Sequence, residues 1–319
     1  MRCNFKKNMI LFYRSKIIAR IRDFFSERNI LEVDTPSLIK YTVTDINILP
    51  FKVLGKNKMD GVNFWLSTSP EYHMKRLLSS DIGAIYQICR VFRDEEIGQY
   101  HNSEFTMLEW YQPFYNMFDM MEIIELLFDK VFNISVFDRE SYQNIFIKYF
   151  CVDPFHTDIK ELNLILKKIN CSNFCNSNNT ITEILNLIFV FGIEPYLGKL
   201  RPISVYNYPS NQALLSKIND DDHRICERFE IFFQGIELGN AFCELINANE
   251  QNKRFNLENR IRKKNGLPQQ CIDFRLIKAL KKKYMPNCSG VSLGLDRIIM
   301  IMLKEKNIKN ILSFSFKDC

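Results

Sequence analysis

The segment Ile85-Tyr-Gln-Ile-Cys-Arg-Val-Phe-Arg93, the loop Asp94-Glu-Glu-Ile-Gly-Gln-Tyr-His-Asn-Ser103 and the return Glu104-Phe-Thr-Met-Leu-Glu-Trp-Tyr111 read as two strands and a polar connection. A hairpin of this kind makes the sheet at least partly antiparallel. Period-two alternation in the return strand puts Phe105, Met107, Glu109 and Tyr111 on one face and Glu104, Thr106, Leu108 and Trp110 on the other. Upstream, Ile17, Ile21, Phe24 and Phe25 recur with helical spacing and predict an amphipathic helix over 14–30. Leu31 to Pro36 follows as a short strand closed by its proline. Phe64 to Thr68 reads as another strand, and Ser69-Pro70-Glu71 as the start of a helix through Leu78.

Downstream, 117–132 is a helix rich in Met, Leu and Ile, and 141–200 is helical with an Asn/Ser-rich break from Asn173 to Thr180. Strands are expected near Ser204 to Asn207 and at Phe229 to Phe233, followed by a strand or turn carrying Glu237 to Glu244. The stretch 249–285 is charged and helical, and its charge reads first as a solvated face. Gly290 to Arg297 opens a final apolar helix. With no internal repeat and no Gly/Ser- or Pro-rich linker, the simplest architecture is one α+β domain over 1–319 with a mainly antiparallel sheet flanked by helices.

Composition excludes several classes. The chain has 319 residues, 46% apolar and 25% charged, which is ordinary for a globular protein and unlike collagenous, mucin-like or wholly disordered chains. A net charge of +6 permits an acidic partner without requiring nucleic acid. The abundance of Phe, Ile, Asn and Lys reads as genomic bias. Arg2, Lys6 and Lys7 precede only a short apolar run, Met9 to Tyr13, too brief for a signal-peptide core, and no stretch is long enough for a membrane span. Ten scattered Cys fit reduced thiols, so a cytoplasmic location without membrane association is expected. Only Cys171 and Cys175 are close together, and no second pair completes a zinc set.

Three local patterns carry chemistry. Arg93 and Phe105, on facing strands, could clamp a nucleotide, the ring against the base and the guanidinium against a phosphate; plain core packing with a surface ion pair is the competing reading. Neither G-x-x-x-x-G-K-[ST] nor G-x-G-x-x-G occurs, so side chains would have to hold any nucleotide. Glu230, Glu237 and Glu244 recur in an otherwise apolar run. Carboxylates there are costly unless they meet a metal, a cation or solvent at a sheet edge. With Glu71 and Glu109 they hold more acid than the nearby arginines offset, which suits Mg²⁺ with phosphate, or an ammonium substrate with no protein cation beside the acids. Gly290 to Arg297 offers close backbone approach and a helix N-terminus for phosphate, or simply a glycine turn.

In this order the patterns resemble the three motifs of class II aminoacyl-tRNA synthetases. These are helix 14–30 with the strand ending at Pro36; Phe92-Arg93-Asp94-Glu95 with His101-x-x-x-Phe105; and Gly290-x-x-x-Gly294-x-Asp296-Arg297. Thr68-Ser-Pro-Glu71, His101 to Tyr111, and Gly235-Ile-Glu-Leu-Gly-Asn-Ala-Phe-Cys-Glu244 look like the lysyl branch. Two departures stand out. The synthetase core begins within about the first dozen residues, leaving no place for an anticodon-reading OB-fold, and Ser292 stands where the synthetase usually has Gly. Both are shared by the lysyl-synthetase paralogues that modify elongation factor P. Those paralogues are also similar at Ser69 to Leu77, Phe191 to Pro195, Tyr208 to Ala213 and Leu267 to Gln270.

The resemblance implies an ATP-dependent ligase. It would activate (R)-β-lysine as an adenylate and transfer it to a lysine of elongation factor P, as a homodimer using Mg²⁺, with tRNA not the acceptor. It implies that Arg93 holds the α-phosphate and substrate carboxylate. Phe105 stacks on adenine, and Arg297 covers the other face or reaches the γ-phosphate. Asp94, Glu95, Asn102, Leu238 and Gly294 line the nucleotide site, and His101 meets the outer phosphates. Glu230 and Glu237 carry the metal. Ser69, Pro70, Glu71, Glu109, Tyr111, Asn240, Glu244 and Ser292 form the amino-acid pocket. A tRNA-charging enzyme, with Lys281 to Lys283 on RNA, and a non-catalytic amino-acid-binding module remain alternatives; the retained Arg93, Glu95, Phe105, Glu237 and Arg297 weigh against the second.

Overall fold

A computed structural model describes residues 2–54, 63–94, 97–175 and 179–319. The hairpin is present as β5 (Ile85–Phe92) and β6 (Glu104–Pro113), antiparallel with Ile85 opposite Tyr111 and Phe92 opposite Glu104. The remaining strands are β1 (Leu31–Glu32), β2 (Leu38–Ile39), β3 (Lys52–Val53), β4 (Phe64–Leu66), β7 (Asp138–Ser141), β8 (Ile203–Pro209), β9 (Ile225–Phe233), β10 (Ile236–Cys243) and β11 (Cys288–Gly294). Eight of them form one sheet in the order β1-β5-β6-β11-β10-β9-β8-β7; β2, β4 and β3 form a small second one. Both edge pairs, β1 with β5 and β7 with β8, are parallel, and all inner pairs are antiparallel. The expected strand 31–36 is shorter than its pattern suggested, although Val33 still donates to the Tyr86 carbonyl at 2.8 Å.

Alternation along β6 works as its spacing predicts. Leu108 and Trp110 pack into the main core, against α1 (Arg2–Ser26), α3 (Met117–Leu127) and α9 (Leu295–Met302). Phe25 of α1 stacks on Tyr86 with centroids 4.3 Å apart and meets the edge of Trp110. The helix expected over 14–30 begins earlier and stops at Ser26. Its end is set by Asn29 in the left-handed conformation, which lets the Ile30 amide return to the Phe25 carbonyl at 3.0 Å. Asn116 starts α3 with a capping box to Asp119.

The opposite sheet face carries α2 (Glu71–Leu78), α7 (Ala248–Lys264) and α8 (Phe274–Leu280), whose apolar sides share a second core with Tyr111, Ile85 and Cys288. A third core lies under α4 (Tyr142–Phe150), α5 (Ile159–Lys168) and α6 (Ile181–Ile188), which cover β7 and β8. The expected helical stretch 141–200 is therefore a helical cover for one sheet edge. No helix among the described residues is long and apolar enough to cross a membrane.

Candidate active site

The sheet face turned toward α2 and α7 forms the floor of a cavity. Phe105 and Met107 come from β6, Ser292 and Gly294 from β11, and Glu237, Leu238 and Asn240 from β10. Arg93 follows β5, His101 and Asn102 lie in the hairpin loop, and Arg297 stands in the first turn of α9. Registry explains this convergence: Ser292 is opposite Glu109 on one side and opposite Asn240 on the other. Gly239 lies where β10 bulges against β9, and on its β11 side a Cβ would strike the Ser292 carbonyl. At Gly290 a Cβ would strike the Tyr111 ring and the Glu244 carboxylate, so the space this glycine leaves is filled by the protein's own side chains.

At one end of the cavity the Arg93 guanidinium lies 5.2 Å from the centre of the Phe105 ring. The loop is closed by Arg93 N–H to the Ser103 carbonyl at 2.9 Å, and Asp94 N–H reaches the Leu49 carbonyl at 2.7 Å. Asn102 donates to the Glu104 carbonyl at 2.6 Å and accepts from Phe316 N–H at 3.0 Å, which ties the loop to the C-terminal segment. Arg297 donates to the carbonyls of Tyr100 at 3.2 Å and Glu237 at 2.8 Å, and lies 3.5 Å from the Glu237 carboxylate. Its Nη2 is 2.6 Å from His101 Nε2, a geometry in which the guanidinium donates to a neutral ring. Asp94 is outside the cavity wall, and Glu95 lies outside the described residues.

At the other end the acids are organised around groups that spacing did not reveal. Glu109 is buried and accepts from Ser69 Oγ at 2.8 Å, Ser292 Oγ at 2.6 Å and the Tyr111 hydroxyl at 2.8 Å. Burial, reinforced by the Glu71 charge, pushes its carboxyl up to about 7 against these three donors. Ser69 also accepts the Glu71 amide at 3.0 Å, and Pro70 begins α2 without a side-chain cap. The missed residue is Lys75, one helical turn after Glu71. Its buried ammonium is 2.6 Å from Glu71 and 2.5 Å from Glu244. Burial alone would lower its pKa, yet the two carboxylates hold it above its ordinary value. Burial raises Glu244 to about 8; Lys75 opposes the rise and Glu71 adds to it. The expectation of acids with no protein cation beside them therefore fails for Glu71 and Glu244. Ser69, Glu71, Asn240 and Ser292 line the cavity, while Pro70, Glu109, Tyr111 and Glu244 stand behind its wall.

Glu230 is also behind the wall. Tyr208 donates to it at 2.7 Å and Arg228 pairs with its other oxygen. Sequence reasoning assigned no role to Glu194, which burial and the charges of Glu237 and Glu230 push up to about 8 against the pull of Arg297. Among the described residues no group of three or more His, Cys, Asp or Glu is placed to hold a metal. A third missed group is Arg14 of α1. It donates to Asp296 and to Thr106 Oγ1, each at 2.5 Å, while Thr106 N–H reaches the same carboxylate at 2.8 Å. This clamp joins all three sequence motifs directly behind Arg297.

The raised Glu109 has a stability consequence. Between the ordinary carboxylate range and pH 7 the unfolded chain releases this proton while the folded chain keeps it, so its contribution falls as pH rises through that window. A Glu109→Gln variant should gain stability relative to the parent from pH 5 to 8, by at most about 1.4 kcal/mol per pH unit. Urea unfolding at stepped pH measures this; a difference independent of pH would mean that Glu109 is already ionised at pH 5.

Residues 2–318 match the family model described as tRNA synthetases class II (D, K and N). An elongation factor P–(R)-β-lysine ligase of Buchnera aphidicola subsp. Schizaphis graminum (strain Sg) is 50% identical over 310 residues, covering 96% of this chain and 95% of that protein. A protein of the same name from Buchnera aphidicola subsp. Acyrthosiphon pisum (strain APS) is 47% identical over 311 residues, covering 97% of this chain and 96% of its own. Since both the family model and these relatives align along nearly the whole chain, and the second and third motifs meet in one cavity, the chain belongs to the class II tRNA synthetase family.

Proposed function

We propose that the protein activates (R)-β-lysine with ATP and transfers it to the ε-amine of a lysine of elongation factor P. The observation that carries this reading is the identity of about 50% to ligases of that name along the chain, joined to a cavity with an arginine–aromatic pair at one end and buried acids at the other. The substrate carboxylate attacks the α-phosphorus and pyrophosphate leaves; the acceptor amine then attacks the acyl carbon and AMP leaves. Little covalent work falls to the protein, which has to bring two anions together and stabilise the charge that develops.

In this reading Arg93 offsets the repulsion between carboxylate and α-phosphate while Phe105 stacks under adenine. Arg297 and His101, already in contact, face the outer phosphates. Asn102 fixes the loop, and Leu238 and Gly294 complete the nucleotide wall. Glu109, poised near 7, ionises when an ammonium docks above it, with Ser69, Tyr111 and Ser292 orienting it. Glu71 and Asn240 complete the amino-acid pocket, and Glu244 holds Lys75 beneath it.

Magnesium asks for one or two carboxylates plus phosphate oxygens. Glu237, in the wall beside Arg297, fits that demand, whereas Glu230 would have to share oxygens already bound by Arg228 and Tyr208. Bound there, the metal would neutralise phosphate charge.

We take residues 1–319 as one cytoplasmic catalytic unit, since β1 and β11 belong to a single sheet. The exposed Met9, Phe12 and Tyr13 on α1 suit a homodimer contact. Sedimentation should give a dimer that Phe12→Asp weakens; a monomeric parent would remove the contact.

Mass spectrometry of elongation factor P incubated with the enzyme, ATP and either lysine isomer should show one added β-lysyl group. Arg93→Ala should lose at least about 100-fold in rate, as for loss of one charge-stabilising donor. Transfer to tRNA instead of the protein would sink the assignment. Ser292→Gly removes the hydroxyl held by Glu109 and opens the pocket, so use of α-lysine relative to β-lysine should rise. An unchanged isomer ratio in ATP–pyrophosphate exchange would show that Ser292 does not set the choice.

A further inference from the structure

Five carboxylates line the cavity among the described residues: Asp45, Glu71, Glu237, Glu258 and Asp296. Three have a protein cation. Glu71 has Lys75 at 2.6 Å, Glu237 has Arg297 at 3.5 Å and Asp296 has Arg14 at 2.5 Å. Among the described residues neither Glu258 nor Asp45 forms an ion pair. Glu258 belongs to α7 and is held by the Thr44 hydroxyl, so its wall is built by elements outside the sheet that carries Phe105.

The arginines that flank Glu258 are committed elsewhere. Arg254 donates to Glu250 at 3.3 Å and to the carbonyls of Leu214 and Ser216 at 2.9 and 2.8 Å. Arg262 donates to the carbonyls of Pro268 and Asp45, each at 2.8 Å. Asp45, Arg254 and Arg262 act on the Glu258 charge, and Tyr72 is the remaining titratable group at this wall. Burial raises the Glu258 carboxyl to about 7, with Thr44 and the two arginines opposing the rise and Asp45 adding to it.

The two half-reactions make different demands. Adenylate formation moves no proton: a carboxylate attacks and pyrophosphate departs. The transfer step does, because the acceptor arrives as an ammonium and must become an amine. A carboxylate in the cavity wall, with no direct ion pair among the described residues and able to hold a proton near neutrality, therefore has work only in the second step.

We propose that Glu258 receives the ammonium of the acceptor lysine and takes one proton from it; this rests on the ligase reading above. The freed amine nitrogen bonds to the acyl carbon of the adenylate. The acyl–phosphate C–O bond breaks, its electron pair leaving on AMP. The second nitrogen proton goes to the departing phosphate oxygen and on to water.

Glu258→Gln keeps a hydrogen-bond partner for Thr44 and removes the base. Three readouts separate the possibilities: ATP–pyrophosphate exchange with β-lysine, single-turnover transfer to elongation factor P, and capture of the adenylate by hydroxylamine, an amine largely uncharged at neutral pH. Exchange and hydroxylamine capture should stay within about twofold of the parent. Transfer to the protein should slow by about 100-fold or more, the usual scale for loss of a general base, and lose its rise with pH through about 7. Glu258→Asp should restore part of both.

Unchanged transfer by Glu258→Gln would overturn the proposal. So would equal loss of hydroxylamine capture, or a raised KM for β-lysine in exchange, which would place Glu258 in the amino-acid pocket. If the parent enzyme itself shows no exchange with β-lysine, the ligase reading fails first and takes this role with it.

Discussion

A single buried ammonium makes the cavity floor possible. Lys75 stands between Glu71 and Glu244 with almost no solvent contact, and Glu109 lies close enough to influence Glu244. Three carboxyl groups packed beneath an antiparallel sheet face would otherwise repel one another in a medium that solvates charge poorly. Lys75 cancels part of that charge and leaves the remainder uncompensated. Glu109, Glu244, Glu194 and Glu258 are all held above the ordinary carboxylate range, with burial the leading cause in each. Burial thus favours the protonated form of each, and a positive charge placed beside one would favour its ionisation.

Steric constraints act on the same few residues. β11 supplies Ser292 to Glu109 on one side and packs against β10 on the other, where Gly239 admits the close approach. Behind this face, Arg14 joins the first helix to Thr106 of β6 and Asp296 of α9, so the position of Arg297 depends on three segments far apart in the chain. Losing one partner of so buried a pair would leave an uncompensated charge beside the Arg93–Phe105 end of the cavity.

The hairpin, the two faces of its return strand and the order of the motifs were legible because each depends on short-range periodicity. Trp110 and Leu108 against Phe105 and Met107 is a pattern of two. What the sequence concealed depends on pairing across space. Lys75 lies in Tyr-His-Met-Lys-Arg, which reads as an ordinary helix surface, although its distance of four from Glu71 signals an ion pair on one face. Arg14 finds Asp296 only through the fold, at a separation of 282 positions. Glu258 sits in a run of Lys, Arg and Asn that suggests a solvated face; one side of that helix instead closes the cavity. The Glu95 expectation lies outside the described residues.

The hydrogen bond from Phe316 N–H to Asn102 joins positions 214 apart, and Ile308 N–H reaches Gln99 in the same loop. During synthesis the hairpin leaves the ribosome long before these partners exist. Its strands can pair early, but the turn that carries His101 receives its last fixed contacts only when the tail arrives. Assembly of the loop end of the cavity thereby waits until residues 308–316 have been made, so a nascent chain halted before that point would present a paired hairpin with an unfastened crown.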